Sequence, residues 1–108
     1  LIAQLDESVP ARLAKALAAI GCRVLRFPNA SKGLKNGELL EKLRQTGVEC
    51  LITCDKNLQY QQSVSNSGIA LVVLPMQRFD DLAPLAASIA KAVDTAIPRE
   101  TISVGIHG

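Results

Sequence analysis

Apolar residues recur along the chain at two alternating spacings, and together they predict a succession of strands and helices. The stretch 1–6 (LIAQLD) is mostly apolar and closes on Asp6, as a buried strand would. Val9, Leu13, Leu17 and Ile20 then recur at intervals of three and four, the period of a helix with one buried stripe. Ser8 is expected to cap that helix, Pro10 suits a first turn that needs no N–H there, and Gly21 is placed to end it. A second strand is expected over 22–27, followed by a loop rich in turn residues over 28–36 (PNASKGLKN). Asn36 is the expected cap of a helix carrying Leu39, Leu40 and Leu43, with Gly47 at its end. The stretch 49–54 is a third strand. The polar stretch 55–68, with Leu58 and Val64 as anchors, reads as a short helix and a loop. The run 69–74 (IALVVL) is apolar on both faces, which suits a strand covered by helices on both sides. Asp80 and Asp81 open the longest expected helix, striped by Leu82, Leu85, Ile89 and Val93. Pro98 lies beyond its end, and 101–106 is the last strand.

Strand–helix alternation with short connections implies right-handed crossovers and a parallel sheet. The expected fold is therefore α/β, a three-layer sandwich on a doubly wound parallel sheet, formed as one domain over 1–108. Hydrophobic residues make up 48% of the chain and aromatics 3%, with no Trp, so the core must be built from Leu, Ile, Val and Ala. A core of that size does not require disulfides. The three cysteines, Cys22, Cys50 and Cys54, have no CxxC spacing and read as small core hydrophobes in a reducing compartment. No apolar run approaches the roughly 20 residues of a membrane span, and no signal peptide is visible. Cytoplasm, with no membrane partner, is the expected location.

In parallel sheets of this kind ligands bind beyond the carboxyl ends of the strands, near the switch in strand order. Asp6 and Glu7 follow the first strand and Asp55 the third, and Glu38 sits in the first turn of the helix after the second. Asp80 and Asp81 follow the fourth. Crowded carboxylates repel one another unless a cation neutralises them. Asp and Glu oxygens, completed by water, suit Mg²⁺ or Mn²⁺. The chain carries a single His, His107 near its end, which is expected to be incidental. That argues against zinc and against Ser–His chemistry. The formal net charge is +2. Without Asp6, Glu7, Glu38 and Asp55, six of the ten acids remain against twelve Lys and Arg, an acidic pocket in a basic shell that would suit a polyanion. Simpler roles stand beside these. Glu38 and Asp81 suit helix N-termini, Asp55 suits a turn before Lys56 and Asn57, and Tyr60 suits a partly buried anchor.

At these residues the chain resembles the PIN-like family of small proteins known as the DUF5615 group, related to the Mut7-C nuclease domain. LDESVPARLAKAL at 5–17 resembles its opening motif, GLKNGELL at 33–40 its second and LITCDKNLQYQQ at 51–62 its third. IALVVL at 69–74 resembles the strand that follows. The resemblance implies a Mg²⁺- or Mn²⁺-dependent ribonuclease, often the toxin of a toxin–antitoxin pair held inactive by an antitoxin protein, and in related small domains often a homodimer. Carried over by motif, Asp6, Glu38 and Asp55 match the acidic metal ligands. Asn57 stands where the family often has a further acid, and Asp80 is a candidate for a fourth. In that reading Asp6 and Asp55 hold the ion, Glu38 binds it or orients a water, and Asn57 is a further candidate ligand. Lys32, Lys35 and Lys56 contact RNA phosphates, and Tyr60 stacks on a base.

Two rivals share these residues. A catalytically reduced PIN-like module would bind nucleic acid or protein without cleaving it, as Asn57 suggests. A phosphoacceptor receiver domain would place acids at 6, 7 and 55, but it also needs a hydroxyl residue after the fourth strand and a Lys after the fifth. This chain has Pro75-Met76-Gln77 and Gly105-Ile106-His107 there.

Overall fold

The computed structural model describes residues 1–106. Among them five strands form one all-parallel sheet: β1 (Ala3–Leu5), β2 (Val24–Leu25), β3 (Cys50–Thr53), β4 (Ala70–Val73) and β5 (Thr101–Ser103). The order across the sheet is β2-β1-β3-β4-β5, the flavodoxin-like winding whose switch point lies between β1 and β3. Register sets Leu5 beside Ile52 and Thr53 beside Val73, so β3 and β4 end level and β1 ends one residue short of them at the same edge.

Helices cover both faces. The first face carries α1 (Arg12–Ala18), α4 (Phe79–Leu82) and α5 (Ala86–Asp94). The second carries α2 (Asn36–Gln45) and α3 (Gln62–Ser67). Alternation along each strand sorts the core between them. Leu5, Ile52 and Val72 pack with Leu13, Leu17 and Ile89 on the first face, and Leu51 and Leu71 pack with Leu40, Leu43 and Leu58 on the second. Every residue of β1, β3 and β4 is buried, as the apolar run at 69–74 predicts for a strand covered on both sides. The doubly wound α/β architecture expected from the sequence is the one observed. No helix among the described residues is long and apolar enough to cross a membrane.

Five local expectations are corrected. The strand expected over 22–27 reduces to Val24–Leu25, and the one over 101–106 to Thr101–Ser103. The long helix expected from Asp80 is broken into α4, a 3-10 turn over Ala83–Leu85, and α5. Pro84 lies in that turn, where it lacks the N–H a continuous helix would require. Ser8 does not cap α1: the N-cap position is Ala11, which makes no side-chain capping bond. Lys35, one residue before Asn36, occupies the N-cap position of α2. Gly21 and Gly47 do end their helices, with φ of 86° and 78°, a conformation open to glycine without strain. His107 lies outside the described residues.

Candidate functional site

Asp6 is the first residue after β1, at the switch point, and alternation turns its side chain toward the second face. Thr53, the last residue of β3, points the same way. The two meet there. Thr53 Oγ1 donates to Asp6 Oδ2 at 2.9 Å, and Ser8 Oγ donates to the same oxygen at 2.9 Å. The two hydroxyls lie 3.4 Å apart. Each also accepts from the backbone that leaves β3: Cys54 N donates to Ser8 Oγ at 3.1 Å, and Asp55 N to Thr53 Oγ1 at 3.0 Å. Asp6 N donates to Ile52 O at 2.8 Å, which fixes the main chain as well. One carboxylate oxygen thus organises the turns after two neighbouring strands. Asp6 is half-buried and Thr53 fully buried. Such groups are tolerated in an apolar layer because each has its partners. Both protein donors fall on Oδ2, and Oδ1 takes none among the described residues.

Ser8 and Thr53 are the residues that sequence reasoning missed. The signal for Thr53 was present in the alternation. Thr53 is two residues after Leu51 in a buried strand, so it must present a hydroxyl inside the core on the same side as Asp6.

Asp55 is exposed, and its Oδ1 accepts from Asn57 N at 2.9 Å, closing the turn that the residue type favours. Asn57 is exposed too. Glu38 lies exposed in the first turn of α2. Among the described residues no group of three or more His, Cys, Asp or Glu is arranged to hold a metal ion. Asp6, Glu38 and Asp55 therefore share an edge without forming a closed carboxylate cage. Ions of the magnesium type do not require such a cage. Such ions commonly keep several waters and take one or two carboxylates, with substrate phosphate completing the shell. Asp6 has one oxygen free of protein donors, and the main-chain N–H of Asp55 is tied to it through Thr53, while the Asp55 carboxylate accepts from Asn57 N.

Lys32 and Lys35 are exposed on the loop that leads into α2. Lys56 and Tyr60 line a cavity of about 480 Å³ with Asn57, Gln59, Leu74 and Ser103, beyond the ends of β3, β4 and β5. Tyr60 is 79% exposed, so it is no core anchor and its ring face is accessible. Asp80 and Asp81 are exposed in the first turn of α4.

Cys54 borders the network from the other face. Burial raises its thiol pKa to about 11. The negative charge of Asp6 adds to the rise, and the Ser8 hydrogen bond opposes it. Near neutral pH the thiol stays protonated and donates to Met76 O at 3.1 Å, which sets it aside as a nucleophile. Cys50 is likewise raised to about 11, by burial and then by Cys22. All three cysteines are free thiols.

Comparison of the chain with protein-family models, with curated proteins and with solved structures finds no match.

Proposed function

We propose that the chain is a metal-dependent ribonuclease of PIN-like type, acting at the carboxyl edge of β1 and β3. The observation that carries this reading is the Asp6 carboxylate. It stands half-buried at the switch point, one oxygen held by two hydroxyls and the other free of protein donors. With one oxygen held by protein hydroxyls, the other is available to a ligand. Asp6 and Asp55 would hold Mg²⁺ or Mn²⁺, which when bound supplies an acidified water and charge neutralisation at a phosphate. Thr53 and Ser8 keep Asp6 in one rotamer. Glu38, exposed at the start of α2, would orient a water. The cavity beside Lys56 supports a place for the nucleotide, with the Tyr60 face open for a base to stack on. Lys32 and Lys35 would meet flanking phosphates. The test is cleavage of single-stranded RNA with added Mn²⁺, wild type against Asp6→Asn. Equal cleavage by both proteins, or none by either, would end the proposal.

A second reading has its own support. The absence of a three-acid group among the described residues, and the engagement of Asp55 in its own turn, favour a PIN-like module that binds RNA or protein and does not cleave. Calorimetric titration with Mn²⁺ separates the two, because the module needs no ion.

The receiver reading has the strand order in its favour. It lacks the residues that would handle a phosphoryl group: buried Leu74 and Pro75 follow β4, and Val104 and Gly105 follow β5. Acetyl phosphate labelling of Asp55 is the result that would restore it.

A further inference from the structure

On the first face, away from the Tyr60 cavity, a groove of about 390 Å³ runs along the flank of α1. Arg12, Lys15 and Arg26 line it, with Ala16, Ala19 and Phe79. Three cations and no carboxylate make up its charged lining. The one ion pair among the described residues is Arg44–Glu41, on α2, so none of the three is ion-paired. Arg12 and Lys15 are neighbours at i, i+3 on one helix. Arg26 comes directly after β2, and Phe79 opens α4 after β4. Arg12, Arg26 and Phe79 all follow carboxyl ends of parallel strands, so the groove opens at the same edge of the sheet as Asp6.

Arg12 is also held in place. Its guanidinium lies 4.2 Å from the centroid of the half-buried Phe79 ring, a cation–π contact that keeps a long, exposed side chain from wandering. A positioned cation loses less freedom on binding an anion than a mobile one. The apolar floor of two alanines and a phenylalanine admits close approach. An uncompensated row of cations over a shallow apolar floor suits a flexible chain of phosphates better than a single small anion, which one or two cations would satisfy.

We propose that this groove seats the phosphate backbone of single-stranded RNA and leads the strand toward Asp6. The choice of RNA rests on the ribonuclease reading; the polyanion site itself rests on the groove. The test is fluorescence anisotropy of the whole chain with a labelled oligouridylate of about ten nucleotides, in EDTA so that no metal-dependent cleavage runs. The combined variant Arg12→Gln, Lys15→Gln, Arg26→Gln is expected to bind at least about tenfold more weakly at low salt. Each phosphate contact contributes about 0.7 to the slope of log K against log salt, so losing three should flatten it by about 2. Phe79→Leu, which keeps apolar packing and removes the ring, should weaken binding by a smaller factor, about threefold. Lys91→Gln with Arg99→Gln, on other surfaces, should leave it unchanged, and circular dichroism confirms that each variant is folded. Wild-type affinity in the triple variant would overturn the proposal. So would failure of the wild type to bind oligouridylate, or equal loss in the Lys91, Arg99 control. Preference for anionic lipid vesicles or for duplex DNA over oligouridylate would overturn the assignment to RNA. Cleavage failing while groove-dependent binding persists would remove the ribonuclease reading and leave the groove standing.

Discussion

Two pairs of strand ends lie along one edge of the sheet, and they are built from different materials. Where β1 and β3 end, Asp6, Ser8 and Thr53 form a closed set of hydrogen bonds inside an apolar layer. Where β4 and β5 end, the chain continues through Leu74 and Val104, both buried in the first-face core. Backbone pairing is equally regular at both: Leu74 N donates to Thr53 O at 2.8 Å and Val104 N to Val73 O at 2.9 Å. The sheet therefore does not need polar side chains to finish its strands. The difference teaches that the Asp6 network is an addition to the fold, made at the switch point where a doubly wound sheet leaves room for a ligand.

The comparison can be broken most forcefully by chemistry. Asp6→Asn keeps the shape and an acceptor for both hydroxyls but removes the charge. RNA cleavage with Mn²⁺ should fall by about a hundredfold or more, while the thermal midpoint moves little. A variant that cleaves normally would make the β1 end no more functional than the β4 end. Glu38→Gln should have a smaller effect, about tenfold, because an exposed group acting through a water is more readily replaced.

Stability gives the next contrast. Leu74→Asp moves a carboxylate into the first-face core, without the paired hydroxyls that hold Asp6. A loss of about 4 kcal/mol is expected, combining lost burial with an unpartnered polar group, and is read from urea unfolding. Thr53→Val is nearly isosteric but removes the donor to Asp6 and leaves Asp55 N without its acceptor. It should lose about 1–3 kcal/mol. If Thr53→Val were neutral, the network would not be holding the two turns together.

The smallest effect concerns pH. Cys50 and Cys54 each have a folded pKa near 11, above the ordinary value of 9.0. Between those values the folded state holds more protons than the unfolded one, so stability declines as pH rises. Their contribution is complete below pH 9 and is lost as pH passes through about 11. Urea midpoints across that window should fall for wild type, and the fall should be shallower in Cys54→Ala.

The sequence made the layers readable because period-2 and period-3.6 patterns differ sharply in a chain with so few aromatics. Leu51 and Ile52 point to opposite cores, as alternation requires. Asp6 was legible because a carboxylate ending an apolar strand stands out. Ser8 was misread because a serine before a helical stripe is a good cap, and only the tertiary approach of β3 draws its hydroxyl to Asp6. The helix break at Pro84 was legible in principle, but the leucine stripe runs through it unbroken. Phe79 and Arg12 are far apart in sequence, and their stacking is a product of packing alone.

The brevity of β2 has a consequence for motion. It pairs with β1 through only two residues and sits at the edge of the sheet, while β3 is paired on both sides. Amide exchange should therefore be fastest at Val24 and Leu25 and slowest along β3, because local opening starts where the fewest bonds must break. Such an opening would release Arg26 without disturbing Asp6. One wall of the basic groove would then yield to a strand of varying shape while the Asp6 carboxylate stays fixed.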